Sequence, residues 1–450
     1  MRIALALALL LLPGFAAEDK PNFVFILIDD LGATDLSCAG STFYETPNID
    51  RLAAGGMTFK NGYSACTVCS PTRASLLTGK YPARLHLTNW IPGYSLPKAK
   101  LRPPDWTQSL PLDEISLPRT LKGAGYVSGI FGKWHLGDEH HSPEKFGFDV
   151  NVGGTHQGHP PSYFNPYKIP TIPGGEKGEY LTDRLTDDAV RFLKDNRDKP
   201  FFLYVPHYGV HNPVQAKPEL VEKYKAKAKA DAPHRNPGYA AMIESVDQSV
   251  GRIVAALDEL KLREKTLLVF TSDNGGLVTN TSNAPFRAGK GSAYEGGVRV
   301  PLLVSWPGTI AAGKTCETPV VTLDWYPTFL ELAGVPQAPS QIVDGSSLVP
   351  LLRGKGGFAR EAIYWHYPHY SPQFPSPYGA IRQGDWRLVE FYEDNHVELY
   401  DLKSDVGETK DLAAEKPEKA RELHQKLADW RASVGAQMPT PNPNYEPPKK

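Results

Sequence analysis

The densest chemistry in this 450-residue chain lies in Cys69-Ser70-Pro71-Thr72-Arg73-Ala74-Ser75-Leu76-Leu77-Thr78-Gly79. Ser70 is a helix cap by type, Pro71 suits a first turn and Gly79 a stop, so the segment reads as a helix. Cys69 then sits at its N-terminus, where the aligned peptide dipoles favour anions, and Arg73 adds a fixed cation one turn on. Together they describe an anion site with a reactive sulfur. A second group is Asp29-Asp30 and Asp273-Asn274, each pair following an apolar run. Three carboxylates beside an anion repel it unless a hard cation sits among them. Four side-chain oxygens plus one from the anion suit Ca²⁺, whereas Mg²⁺ keeps more of its waters. Cys66-Thr67-Val68-Cys69 also has the spacing of a redox pair, but the compact thioredoxin-sized βαβ context is missing.

These residues need a frame. Phe23 to Ile28 runs into Asp29-Asp30, and Tyr126 to Phe131 into Gly132-Lys133-Trp134-His135. Phe201 to Val205 is followed by His207 and His211, and Leu267 to Phe270 leads through Thr271-Ser272 to Asp273-Asn274. Near-continuous apolar runs of this length are parallel strands covered on both faces. Between them, Asp187 to Asn196 and Tyr239 to Leu260 carry apolar residues at steps of three and four, the mark of amphipathic helices. Strands alternating with helices predict an α/β/α sandwich with a mainly parallel central sheet. Ligands in such sheets sit beyond the carboxyl ends of the strands, so the polar clusters are expected to converge on one edge. From Phe358 the pattern changes to short apolar segments at 362–365, 378–382, 386–389 and 398–401, then a helical stretch from Pro417 to about Val434. This predicts a small C-terminal α+β domain over 358–437, with an extended tail over 438–450.

Composition narrows the partners. Lys plus Arg is 49 against 50 Asp plus Glu, so the net charge of −1 leaves no basic footprint for nucleic acid. The 41% apolar content, with 40 glycines, excludes disorder as the main state, and 41 prolines point to long ordered loops. Arg2, the apolar run Ile3 to Leu12 and the small residues Gly14 and Ala16 read as a signal peptide, 1–16, cleaved after Ala16. A membrane span needs about 20 apolar residues, which no stretch reaches. The mature chain, with its catalytic domain over 17–357, is therefore expected to be exported, periplasmic or extracellular. Four cysteines in such a chain are too few for a disulfide scaffold.

The Cys69–Gly79 string resembles the signature of type I sulfatases, the formylglycine-dependent family. The second signature of that family is matched by Gly125-Tyr126-Val127-Ser128-Gly129-Ile130-Phe131-Gly132-Lys133-Trp134-His135. The similarity runs from Pro21 to about Ala436 and implies an alkaline-phosphatase-like fold. It implies that an export-coupled maturase oxidises Cys69 to formylglycine. It also implies that Asp29, Asp30, Asp273 and Asn274, with residue 69, bind one calcium ion. By the same similarity Lys133 and Lys290 hold sulfate oxygens, His135 serves the residue-69 nucleophile and His211 helps protonate the departing alcohol. Lys290 lies in the glycine-rich loop Gly289 to Arg299, where glycines permit close backbone approach. His207 reads as structural.

The function implied is hydrolysis of a sulfate ester. The stretch Leu85 to Pro97 resembles exported bacterial sulfatases acting on sulfated galactose or N-acetylgalactosamine residues of oligo- or polysaccharides. His156, His159 and Arg382 are candidate substrate-binding residues, with Asn89-Trp90, Tyr163, His366 and His369 as further candidates for a sugar subsite. Two alternatives remain open here: a phosphate or phosphonate ester hydrolase of the same superfamily, and a glycan-binding pseudoenzyme with unmodified Cys69. Cys66 is placed to pair with Cys69 in protein that escapes maturation.

Overall fold

The structure, a computed structural model, describes residues 20–229 and 232–447. The expected signal peptide therefore lies outside the described residues. The largest sheet has eight strands in the order Lys314–Cys316, Met57–Phe59, Leu302–Ser305, Thr266–Ser272, Asn22–Ile28, Phe201–Pro206, Val127–Phe131, Val150–Val152. The five strands from Thr266–Ser272 to Val150–Val152 are parallel; Leu302–Ser305 runs antiparallel to both its neighbours. The apolar runs are continuous because both faces are buried. Val24, Ile26 and Ile28 pack on one side with helices Leu181–Asp195 and Pro237–Glu259, while Phe23, Phe25 and Leu27 pack on the other with Cys69–Thr78 and Trp325–Leu332. Both long helices start before the first apolar residue of their patterns, the second at Pro237 with Asn236 capping the Tyr239 amide.

Register decides what the strand ends bring together. Ile28 pairs with Ser272 and Leu27 with Pro206, so Asp29-Asp30, Asp273-Asn274 and the His207–His211 loop leave the sheet side by side. Lys133 N donates to the Pro206 carbonyl at 2.7 Å, drawing the loop after Val127–Phe131 into the same edge. Only glycine fits at 132, where φ is +135° and a Cβ would meet the Pro206 oxygen at 2.0 Å.

The C-terminal part is a four-stranded antiparallel sheet, Ile363–Tyr367, Tyr378–Gln383, Trp386–Phe391 and Val397–Asp401 in that order, with helix Pro417–Val434 across it. Leu423, Leu427, Trp430 and Val434 bury the helix face. The expected extended tail is not free. Thr440–Pro441 pairs antiparallel with Leu101–Arg102, and Asn442 Nδ2 donates to the carbonyls of Pro97 and Ala99. Among the described residues no helix is long and apolar enough to cross a membrane.

A buried ionic network ties this unit to the glycine-rich loop. Arg387 Nη1 lies 3.0 Å from Glu295 Oε1, and Glu295 Oε2 accepts from Arg299 at 2.7 Å and Tyr63 at 2.8 Å. Burial alone raises the Glu295 carboxyl, but Arg299, then Arg387 and Arg382, outweigh it and hold it at about 2. Glu295→Gln takes the carboxylate from buried Arg299 and leaves Arg387 with Glu408 alone, 3.1 Å from its Nε, and should cost about 3–5 kcal/mol. A folded-state pKa below the free value stabilises above the free value, and that stability fades as pH falls through the folded one. The melting-temperature deficit of the variant should therefore be full at pH 7 and shrink towards about pH 2; a deficit independent of pH would show that the charge of Glu295 is not what matters.

Candidate active site

The helix bearing the cysteine is Cys69–Thr78, two residues earlier than a Ser70 cap requires. Val68 is the N-cap and Ser70 lies inside the first turn, its Oγ accepting from Ile91 N at 3.2 Å. Cys69 is thus the first helical residue, and its own side chain stands at the positive end of the helix dipole. Gly79 ends the helix in the left-handed conformation, as its type predicts.

His135 faces the sulfur. Its Nδ1 lies 3.4 Å from Cys69 Sγ, while its Nε2 lies 2.5 Å from the Ile91 carbonyl. A carbonyl only accepts, so Nε2 carries the hydrogen and Nδ1 is left as an acceptor towards residue 69. Burial, then Lys133, holds this imidazole well below its ordinary pKa, so it is neutral. His211 is built in the same way: Nδ1 donates to the Asn212 carbonyl at 2.7 Å, leaving Nε2 free, 3.7 Å from Asp30 Oδ2. Burial and Lys290 push it down to about 3. Tyr163 is a strut for this loop, its hydroxyl within 2.6 Å of the Tyr208 carbonyl and 2.8 Å of the His211 carbonyl. His207 is buried, with Nε2 3.0 Å from Ser249 Oγ and no place in the pocket.

Behind the cysteine the charges interlock. Arg73 Nε and Nη2 donate to Asp273 Oδ2 at 3.0 and 2.8 Å, and its Nη1 donates to the Lys133 carbonyl. Lys133 Nζ lies 2.7 Å from Asp29 Oδ2, and Lys290 Nζ 2.7 Å from Asp30 Oδ1. Three buried cations face three buried carboxylates. Burial raises Asp29 and takes Asp273 up to about 6, while Lys290 and His211 overcome burial at Asp30 and hold it at about 2. Asp30 takes φ +63°, unusual for a non-glycine, and is held there by its neighbours. Its amide approaches Asp273 Oδ1 at 3.3 Å, and the Tyr239 hydroxyl lies 2.9 Å from its carbonyl.

Two oxygens in this cluster are unaccounted for by the protein. Asp29 Oδ1 and Asn274 Oδ1 are buried without a hydrogen-bond partner. Buried acceptors are costly unless something binds them, and here they sit beside Asp30 and Asp273. Ligand atoms of Asp29, Asp30 and His211 also lie within 4.8 Å of one another. The carboxylate and amide oxygens of this cluster fit a hard divalent cation, with the His211 nitrogen at its edge.

Outside Cys69 opens a pocket of about 850 Å³, lined by His135, His211, Lys290, His156, His159 and Trp90 among others. His159 stacks parallel to His211, ring centroids 6.1 Å apart. Arg382, in contrast, is not there. It is buried against Tyr63, with Nη1 3.1 Å from Asn61 Oδ1 and Nε donating to the Gly384 carbonyl, so it belongs to the network under the C-terminal sheet. His366 is spent on Tyr392 and the Gln437 carbonyl, and His369 on Thr88. Asn89 is likewise buried against Tyr367. The C-terminal unit instead reaches the pocket through Pro372 and Gln373, and the 137–141 turn contributes Asp138 and Glu139. Exposed polar residues in turns carry no periodic signal, so nothing in the sequence singles these out. Cys66 and Cys69 are both unpaired and buried, and burial pushes the Cys66 thiol up to about 12.

Fold and site define a hydrolase of the α/β/α class, with an anion cradle between a helix N-terminus and a carboxylate cluster. Residues 21–335 match the family described as Sulfatase, and residues 289–433 the family described as N-sulphoglucosamine sulphohydrolase, C-terminal. A sulfatase of Formosa agariphila is 35% identical, with 92% of this chain and 89% of that protein covered. N-acetylgalactosamine-6-sulfatase of Canis lupus familiaris is 35% identical over 81% of this chain and 72% of its own length. The crystal structure of Ps i-CgsB superimposes with a TM-score of 0.79 at 32% identity, covering 95% of this chain and 94% of that one; it has also been solved in complex with k-i-k-neocarrahexaose. The chain belongs to the sulfatase family and is a sulfuric ester hydrolase.

Proposed function

We propose that this protein, exported and matured on the way, removes sulfate from a sulfated carbohydrate of the galactose or N-acetylgalactosamine type. Cys69 is the residue converted to formylglycine by a maturase, and Asp29, Asp30, Asp273 and Asn274 are the residues that hold calcium. Formylglycine supplies, as its hydrate, one hydroxyl to attack sulfur and a second that allows sulfate to be released. Calcium supplies positive charge against that of the ester. The remaining chemistry belongs to the chain. Lys133 and Lys290 hold the sulfate oxygens in place of the carboxylates they now meet, and Arg73 fixes Asp273 and the Lys133 loop. His135 Nδ1 takes the proton of the attacking group. His211 Nε2, a bare acceptor while Nδ1 donates to Asn212, stands at the inner end of the pocket and must first take up a proton from solvent before passing it to the leaving oxygen.

The observation that carries this reading is Cys69 Sγ 3.4 Å from the acceptor nitrogen of His135, at a helix start beside buried oxygens without partners. The relatives that act on sulfated sugars by name support the substrate class. Mass spectrometry of the residue-69 peptide from the native host should show aldehyde or its hydrate; thiol alone would overturn the assignment. Rates with matched sulfate and phosphate esters should favour sulfate, and dominant phosphatase activity would replace this reading by the alternative hydrolase.

A further inference from the structure

The pocket outside Cys69 has a charge pattern of its own. Lys290, ion-paired with Asp30, is the single lysine or arginine lining it among the described residues. Trp90, Pro92 and Pro372 present apolar surface, and Gln108, Gln157 and Gln373 present amides. Gln157 Oε1 has no hydrogen-bond partner in the protein. At the rim stand Asp138 and Glu139, both exposed. Asp138 Oδ1 accepts from His140 N and lies 2.7 Å from His141 Nδ1, which holds this carboxyl below its ordinary value and keeps it an anion at neutral pH.

A sulfate group meets buried cations at the inner end. A second anion on the same sugar would meet none, and would face two carboxylates instead. It would lose water without gaining a countercharge, and like charges brought together at a binding surface weaken association. Amides, imidazoles and an aromatic face suit hydroxyl, acetamido and C–H groups.

We propose that this pocket selects a sulfated sugar with no second negative charge, a hexose or N-acetylhexosamine monosulfate, over a sulfated uronic acid or a disulfated sugar. This rests on the sulfated-carbohydrate reading above and sharpens it. The test is binding of intact esters to calcium-loaded Cys69→Ala protein, by calorimetry at low ionic strength, comparing a hexose monosulfate with its matched uronic acid sulfate. The neutral sugar should bind at least about tenfold more tightly, and the gap should close towards about 0.5 M salt as the rim charges are screened. The gap should also narrow in an Asp138→Asn, Glu139→Gln double variant. Equal or tighter binding of the uronate, a gap indifferent to both salt and rim charge, or binding of neither sugar overturns the proposal. Aryl sulfate turnover by natively matured wild-type protein keeps the two readings apart. Turnover without charge preference refutes the selection alone; no turnover refutes the function of the site and the selection with it.

Discussion

Cys69→Ala protein should fold as its parent does and lose hydrolysis of every sulfate ester, by about a million-fold where the parent rate permits the measurement. Removing a nucleophile that acts as one unit with its base typically costs this much, because the surviving groups have nothing to activate. Here the surviving group is His135, whose only free nitrogen faces residue 69. The fold should be spared because the side chain begins a helix and borders the pocket; losing one sulfur there costs about 1 kcal/mol. Helix Cys69–Thr78 keeps its packing through Ala74, Leu76 and Leu77. Steady-state kinetics with a melting curve checks both halves. An active Cys69→Ala enzyme would move the nucleophile elsewhere.

The second large effect is expected at Asp273. Asp273→Asn keeps the shape and one oxygen but removes the charge that meets Arg73 through two hydrogen bonds. Arg73 is buried and stays protonated, with Asp29 at 3.8 Å as its remaining carboxylate, already paired with Lys133, so the loss should cost about 3–5 kcal/mol of stability. Calcium affinity should fall more than about a hundredfold, since even supporting residues around metal ligands are worth about 10–100-fold. Calcium binding by calorimetry, with melting temperatures before and after chelation, reads both. Wild-type protein should stay folded in chelator, because Arg73, Lys133 and Lys290 already balance three carboxylates. It should nevertheless lose about 2.7 kcal/mol relative to calcium at a hundred times its dissociation constant. Unchanged affinity in the variant would remove Asp273 from the ligand set.

How much of this was legible depends on the kind of signal. Strands such as Phe23–Ile28 and the helix Pro417–Val434 are written locally, as apolar runs and a 3.6-residue period, and the structure keeps their positions within a residue or two. The helix at Cys69 was legible too, but not its first residue: Ser70 caps by type, whereas packing starts the helix at Cys69 and turns Ser70 towards Ile91. Arg382 is the clearest failure. An arginine beside a sugar and one beside a buried glutamate cluster look the same in sequence, and only the fold puts Tyr63 and Asn61 next to it.

By itself the sequence determined the elements, the residue types at the strand ends and, through two long motifs, the family. These are local properties of the chain, set by propensity, period and spacing. The tertiary structure alone decided the rest: the register that sets Ile28 beside Ser272, the tautomer that aims His135 Nδ1 at Cys69, and the acidic rim at Asp138 and Glu139. Each of these depends on groups far apart in the chain meeting at hydrogen-bond distance, and no local pattern encodes such a meeting.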